Sequence, residues 1–304
     1  MLRGSASALP LLRVHRRHFR APTRAINHCV EAVQKNDRER YLCNMFAAQD
    51  ARPALFALHA FNIETAAIRS TTTTETTGRM RIAWWRQTID QACKGKPPDH
   101  PVALALAEAH ARHSLSSRFF EQILDAREAD LSLTQPEDLR QLTEYCERTA
   151  GALQILGLEC VGGAPDGSEA EQAALHVGCA LSMATLLRGT AVHAASGCTY
   201  VPVDVAQRHT LSLTQMMRGE SSPALRDAVA ELAGEATAHL LAARALQPQL
   251  SKRACSSLLP ATVADLILQR LQKVSYQPFS PELLAPFGAS LQLRLMWSGW
   301  RGTF

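Results

Sequence analysis

The stretch Arg52–Ser70, RPALFALHAFNIETAAIRS, restricts the fold of this chain more than any other segment. Pro53 stands where a helix N-terminus tolerates proline, and nothing after it breaks a helix. Leu55, Leu58 and Ile63 alternate with Phe56, Ala60 and Ala67, so apolar side chains fall on several helical faces. The only acid is Glu64. A helix that is apolar on several faces has to be surrounded by other elements, so this one is expected deep inside a large helical assembly.

A second segment makes the same demand. Ala173–Leu187, AALHVGCALSMATLL, is broken by His176 and Ser182 and full of small residues. It falls short of the roughly 20 apolar residues that cross a bilayer. It therefore reads as a central helix packed on all sides, and any membrane contact is expected to be peripheral. Ala and Leu dominate the 304 residues, which favours helix over sheet. No repeat and no long Pro/Gly-rich linker divides the chain. The expectation is an all-α fold: one large domain over residues 27–304, built from roughly ten helices.

Charge is distributed unevenly. The formal net charge is +4, yet the first 30 residues hold six arginines and no acid. The remainder has 26 basic against 28 acidic residues, so the body offers no electrostatic reason to bind nucleic acid. Residues 1–26, rich in Arg, Ser and Ala, have the composition of a mitochondrial transit peptide. A disordered basic tail and a plastid address are the alternatives. Eight cysteines are scattered without a CxxC pair, which disfavours zinc sites and a disulfide framework. Most are expected to be small core residues.

Along the chain, Asn27–Lys35 and Glu39–Ala48 read as short helices linking the presequence to the body. Thr71–Gly78, TTTTETTG, reads as a flexible loop. Helices are expected over Arg79–Ala92, Val102–His113, Ser116–Leu131 with Ser116 as N-cap, and about Gln135–Glu159. Others follow over Glu169–Arg188, Pro223–Ala245, Pro260–Val274 and Pro281–Trp300. Gly189–Ser212 reads as a loop with one extended piece at Thr199–Val201.

Several stretches together resemble the squalene/phytoene synthase family: FALHAFNIETAAIRS, RMRIAWWRQTID, HPVALALAEA, FFEQILDAREADL, YCERTAG and LLRGTAVHAASGCTYVP. The resemblance runs from about residue 40 to 276 and implies the isoprenoid synthase fold. Enzymes of that family bind Mg²⁺ and a prenyl diphosphate through two aspartate-rich motifs on facing helices. Carboxylates four residues apart lie about 40° apart around a helix axis, so both can meet the same metal cluster. Carried over residue by residue, the first motif falls on Ala66, Ala67 and Ser70, and the second on Gly189 and His193. None is a carboxylate. Glu64, two residues before Ala66, points about 200° away from it.

This pattern is similar to the family's non-catalytic mitochondrial branch, as are FALHAFNIETA, GRMRIAWWRQTID, HPVALAL, LQKVSYQPFSP and the Trp300-Arg301 ending. That resemblance implies a matrix protein peripheral to the inner membrane, acting early in assembly of the membrane core of respiratory complex I. Its partners would be complex I subunits or other assembly factors. It implies no catalytic residue, no cofactor and no metal. A residual cavity for a lipid or prenyl chain is a further expectation. The alternative is an active Mg²⁺-dependent prenyl transferase or a lipid-binding protein.

Other candidates have plainer readings. His110 and His113, with Glu108 nearby, could ligate a metal but lack an evident third ligand, and a solvated helix face is expected. Asp125, Glu128 and Asp130 around Arg127 read as an exposed, ion-paired helix end. His193 as a residual base has no placed carboxylate partner in sequence, and a structural role is the default. Trp84-Trp85-Arg86 and Trp297–Trp300 suit an interface; one tryptophan of the first pair is expected in the core, while for the second pair core and interface stand equal.

Overall fold

Seventeen α-helices, and no strand, form among the residues that the computed structural model describes, 19–163 and 166–304. Proline and short polar caps decide where many of them start. Asp37 accepts from the Arg40 amide at 3.0 Å, Asp138 from Gln141 at 2.7 Å, and Ser222 from Leu225 at 3.1 Å. Each satisfies a backbone N–H that the first helical turn leaves free.

Helices α1 (Thr23–Asn36), α2 (Arg38–Phe46) and α3 (Arg52–Ala66) come first. α1 packs against α3, and α2 against both. Neither α1 nor α2 is a linker, since Ala25, Cys29, Val33 and Cys43 are buried. The 26/27 boundary falls within α1; residues 1–18 of the expected transit segment lie outside the described residues. α3 carries the core as its sequence demands: Leu55, Phe56, Leu58, Ala60 and Phe61 are all buried. The helix does not run on to Ser70. It breaks at Ala67 and resumes as a single turn, α4 (Ile68–Thr71).

The expected loop at Thr71–Gly78 is only residues 72–74. Thr74 caps α5 (Glu75–Cys93) by accepting from the Thr77 amide at 3.2 Å, and Glu75 pairs with Arg79 one turn later. α5, α6 (Pro101–His113) and α7 (Ser117–Asp130) form a layer beside α3. Ser116 occupies the N-cap position of α7 but makes no cap bond; its amide and hydroxyl donate to Glu159 at 2.9 and 2.6 Å.

The helix expected at Gln135–Glu159 starts later, as α8 (Leu139–Cys146), and contains a π-helical turn, Glu147–Gly151, before α9 (Ala152–Cys160). The central helix is α10 (Glu169–Arg188), against which α9, the π-turn, α14 and α16 pack. Gly178 of α10 touches the π-turn so closely that an added Cβ would lie 2.5 Å from the Ala150 carbonyl oxygen.

Gly189–Ser212 is more helical than expected. It holds α11 (Thr190–Ala195) and α12 (Val203–Arg208), with no strand at Thr199–Val201. The remaining helices are α13 (Leu213–Met217), α14 (Pro223–Leu246), α15 (Lys252–Ser257), α16 (Pro260–Lys273) and α17 (Ala289–Arg301). A short 3₁₀ turn at Pro281–Leu284 and the Ala285–Gly288 link separate α17 from what precedes it, so Pro281–Trp300 is not one helix. All eight cysteines are free thiols, seven of them buried. Trp85 is buried and Trp84 is half exposed, as expected of the first pair; of the two alternatives open for the second, Trp297 and Trp300 both face outward.

Candidate functional site

A cavity of about 560 Å³ lies between the C-terminal ends of α3 and α10, the α1–α2 junction, α7, α8 with its π-turn, and α11. Helical spacing on α3 and α4 brings Asn62, Ala66, Arg69 and Ser70 to its wall. From α10 and beyond come Ser182, Thr185, Arg188 and His193. Ala67 is not in this wall. It lines a shallower pocket on the other side with Glu64, Thr71, Arg81, Trp84 and Trp85.

The polar groups of the cavity are mostly engaged with one another. Arg69 donates to Asp130 at 2.8 Å and to the Leu133 carbonyl at 2.6 Å. The Tyr200 hydroxyl donates to the same Asp130 carboxylate at 2.9 Å. Arg188 pairs with Glu39 at 2.9 Å, tying the end of α10 to α2. Arg127 donates to the Tyr145 hydroxyl, and to Asn62 Oδ1 at 3.4 Å; its buried Nε finds no acceptor. Arg40 is buried, in contact with His59 Nε2 at 3.2 Å and donating to Gln154 Oε1 at 3.4 Å. Burial, and then the Arg40 charge, hold His59 well below the usual imidazole range, so it is neutral.

The wall thus holds four arginines, Arg40, Arg69, Arg127 and Arg188, and three carboxylates, Asp37, Glu39 and Asp130. Each carboxylate has work already: Asp130 holds Arg69 and Tyr200, Glu39 holds Arg188, and Asp37 caps α2. Burial raises the Asp37 pKa, with Arg40 opposing. Tyr145 is pushed up to about 12 by burial, so its hydroxyl keeps its proton.

His193 stacks edge-on against Tyr200 with ring centroids 4.9 Å apart. Burial first, and the Arg69 charge second, keep its imidazole below the usual value. Gly189 lies beneath that ring: a Cβ there would approach His193 Nε2 to 2.9 Å. Any side chain at 189 would have to displace the histidine, so these two positions are fitted to each other. The cavity therefore brings together Ala66, Ser70 and His193, with Gly189 against His193, and leaves out Ala67.

The Arg127 cluster divides differently from the sequence expectation. Asp125 and Glu128 are surface partners of Arg86, at 2.6 and 2.8 Å. Asp130 is buried and faces the cavity, and Arg127 turns inward with it. Arg40 and Tyr145 were not singled out from sequence as cavity residues; the available signal for Tyr145 was its place in the YCERTAG stretch, and for Arg40 there was none. His110 Nδ1 lies 3.0 Å from the Leu115 carbonyl oxygen, and Glu108 accepts from the Ala21 amide at 2.9 Å and pairs with Arg112 at 2.7 Å. No cluster of three His, Cys, Asp or Glu with metal-binding geometry occurs among the described residues.

The squalene/phytoene synthase family profile matches residues 33–301. The chain belongs to that family. Within it, the chain is 32% identical over 274 residues to NADH dehydrogenase (ubiquinone) complex I, assembly factor 6 of Bos taurus, covering 90% of this chain and 81% of that one. The Homo sapiens assembly factor 6 is 31% identical over 278 residues, with 91% and 83% covered. A dehydrosqualene synthase crystal structure superimposes with a TM-score of 0.81 at 18% identity, over 92% of this chain and 96% of that one. At that identity the superposition establishes the isoprenoid synthase fold alone. No helix among the described residues is long and apolar enough to cross a membrane.

Proposed function

We propose that this family member is a non-catalytic factor in the assembly of mitochondrial respiratory complex I. The observation that carries the reading is the identity of about a third, over nine-tenths of the chain, to complex I assembly factors of cattle and humans. It acts in the matrix, peripheral to the inner membrane, on complex I subunits or their other assembly factors.

The chemistry of the cavity supports a lost enzymatic role. A Mg²⁺–diphosphate cluster needs several free carboxylate oxygens converging on one space. The positions that would supply them are Ala66, Ala67, Ser70, Gly189 and His193, and Ala67 lies outside the cavity. The carboxylates that do reach the wall are spent on arginines or on a helix cap. The donor set does not fit the metal. What remains is a cavity whose wall combines these polar groups with apolar side chains such as Leu181, Leu186 and Val263. It is suited to a lipid or prenyl chain held without metal.

Two experiments test the reading. Incubated with Mg²⁺ and farnesyl or geranylgeranyl diphosphate, the protein releases no diphosphate; metal-dependent release with a condensed product would overturn the non-catalytic assignment. Depleted from cells, it leaves assembled complex I reduced; a normal level would remove the assembly role.

A further inference from the structure

Helix α17 is apolar on two faces, and the fold uses only one. Leu291 and Leu295 are buried where the helix packs on α2 and α16. Leu293, Met296, Trp297 and Trp300 form a second stripe at spacings of three and four, so they share a face. That face looks away from the protein: Leu293 is 64% exposed, Met296 56%, Trp297 57% and Trp300 76%. Core packing does not account for four large apolar side chains in one outward ridge, and an apolar patch of this kind marks an interaction surface.

The surroundings of the ridge are cationic. Leu283–Phe304 contains two arginines, Arg294 and Arg301, and no acid. Successive helical positions lie about 100° apart, which places both arginines together along one edge of the apolar stripe. The Arg301 guanidinium lies 4.9 Å from the Trp297 ring centroid. Gly302 lets the Lys252 stem lie against the end of the helix. The nearby Asp265 is shared by Arg244 and Arg294, at 3.5 and 3.4 Å, so one negative charge faces two positive ones. An outward helix face with exposed Leu, Met and Trp and arginine along its edge, Leu293 and Trp297 also flanking a shallow pocket beside Asp265, matches the interfacial layer of an anionic bilayer. There the indoles sit at headgroup depth and the guanidinium groups meet phosphate.

We infer that α17 docks this protein onto an anionic phospholipid surface through Leu293, Met296, Trp297 and Trp300, with Arg294 and Arg301 facing the lipid phosphates. This names the surface behind the peripheral-membrane part of the proposed function and rests on it. The test is flotation of the full chain with phosphatidylcholine vesicles, with or without phosphatidylglycerol.

The protein floats with the phosphatidylglycerol vesicles, and its tryptophan emission shifts to the blue. Replacing Trp297→Gln and Trp300→Gln together weakens partitioning by roughly tenfold. Both side chains are exposed, so circular dichroism and the thermal midpoint stay unchanged. Arg294→Gln with Arg301→Gln removes the preference for the anionic vesicles. No flotation, or flotation undiminished in the tryptophan variant, overturns the inference. So does a variant that changes only self-association or only capture of a protein partner, because the ridge would then be a protein interface. The assay contains no complex I, so its failure leaves the assembly reading standing, and failure of the assembly reading leaves vesicle binding intact.

Discussion

Two carboxylates show how far a single residue's behaviour departs from its type. Asp130 sits in a sequence with three other charges close by, yet only it is buried, where Arg69 and Tyr200 hold it. Removing one partner of such a pair leaves the other charge uncompensated. Asp130→Asn is expected to cost about 2 kcal/mol, less than for a fully enclosed pair because Arg69 keeps some access to water. Urea unfolding checks this, and Asp125→Asn, at the surface, serves as the near-neutral control. Glu64 makes a pH-dependent case. Burial raises its pKa to about 7, above the ordinary carboxylate value it has when unfolded. Folding therefore takes up a proton between those two values, and stability falls as pH rises through that window. Glu64→Gln mimics the protonated form. It is expected to raise stability by about 1 kcal/mol at pH 8, after allowance for solvent screening, and to change nothing at pH 4. Melting curves across that range would show a parallel shift if Glu64 is not the group responsible.

Among the elements, α10 and the π-turn it packs against illustrate what helix periodicity leaves open. The π-turn carries Thr149 and Ala150 to the cavity wall, and Thr149 returns its hydroxyl to the Tyr145 carbonyl at 2.6 Å. α10 can approach this turn only because residue 178 is glycine. Gly178→Ala puts a methyl group into backbone atoms that cannot rotate away, and is expected to destabilise the protein by about 2–3 kcal/mol. Gly234, inside α14, has nothing within 4 Å of its missing Cβ. Gly234→Ala is expected to stabilise by about 0.5–1 kcal/mol, by lowering unfolded-chain entropy and raising helix propensity. Opposite signs in one denaturation series would separate close packing from propensity; equal signs would contradict the close approach.

For the molecule as a whole, one continuous core joins α3, α7, α9, α10, α14 and α16. Leu58 is fully buried in it. Leu58→Asp places an unpaired carboxylate there and is expected to abolish folding, read as loss of soluble protein. His193, at the cavity, is expected to be dispensable: His193→Ala should leave complex I assembly at its normal level in cells. Loss of assembly by a folded His193→Ala protein would point to chemistry retained at the cavity.

The sequence by itself determined the fold class and the long buried helices α3 and α10; the short helices of Gly189–Ser212 and the burial of α1 and α2 it did not. The fold class and those two helices follow from information within a few turns, the apolar faces of Arg52–Ser70 and of Ala173–Leu187 above all. The sequence also singled out positions 66, 67, 70, 189 and 193 together, through a resemblance rather than through periodicity; of these, 66, 70 and 193 line the cavity and 67 lines a different pocket. Tertiary structure alone decided which charges meet. Arg69 and Asp130 are 61 residues apart, and Glu39 and Arg188 are 149 apart; no local pattern encodes such pairs. It also decided which apolar face of α17 turns inward. Both faces obey the same helical spacing, and only the shape of α2 and α16 selects Leu291 and Leu295 for the core and leaves Trp297 and Trp300 to the outside.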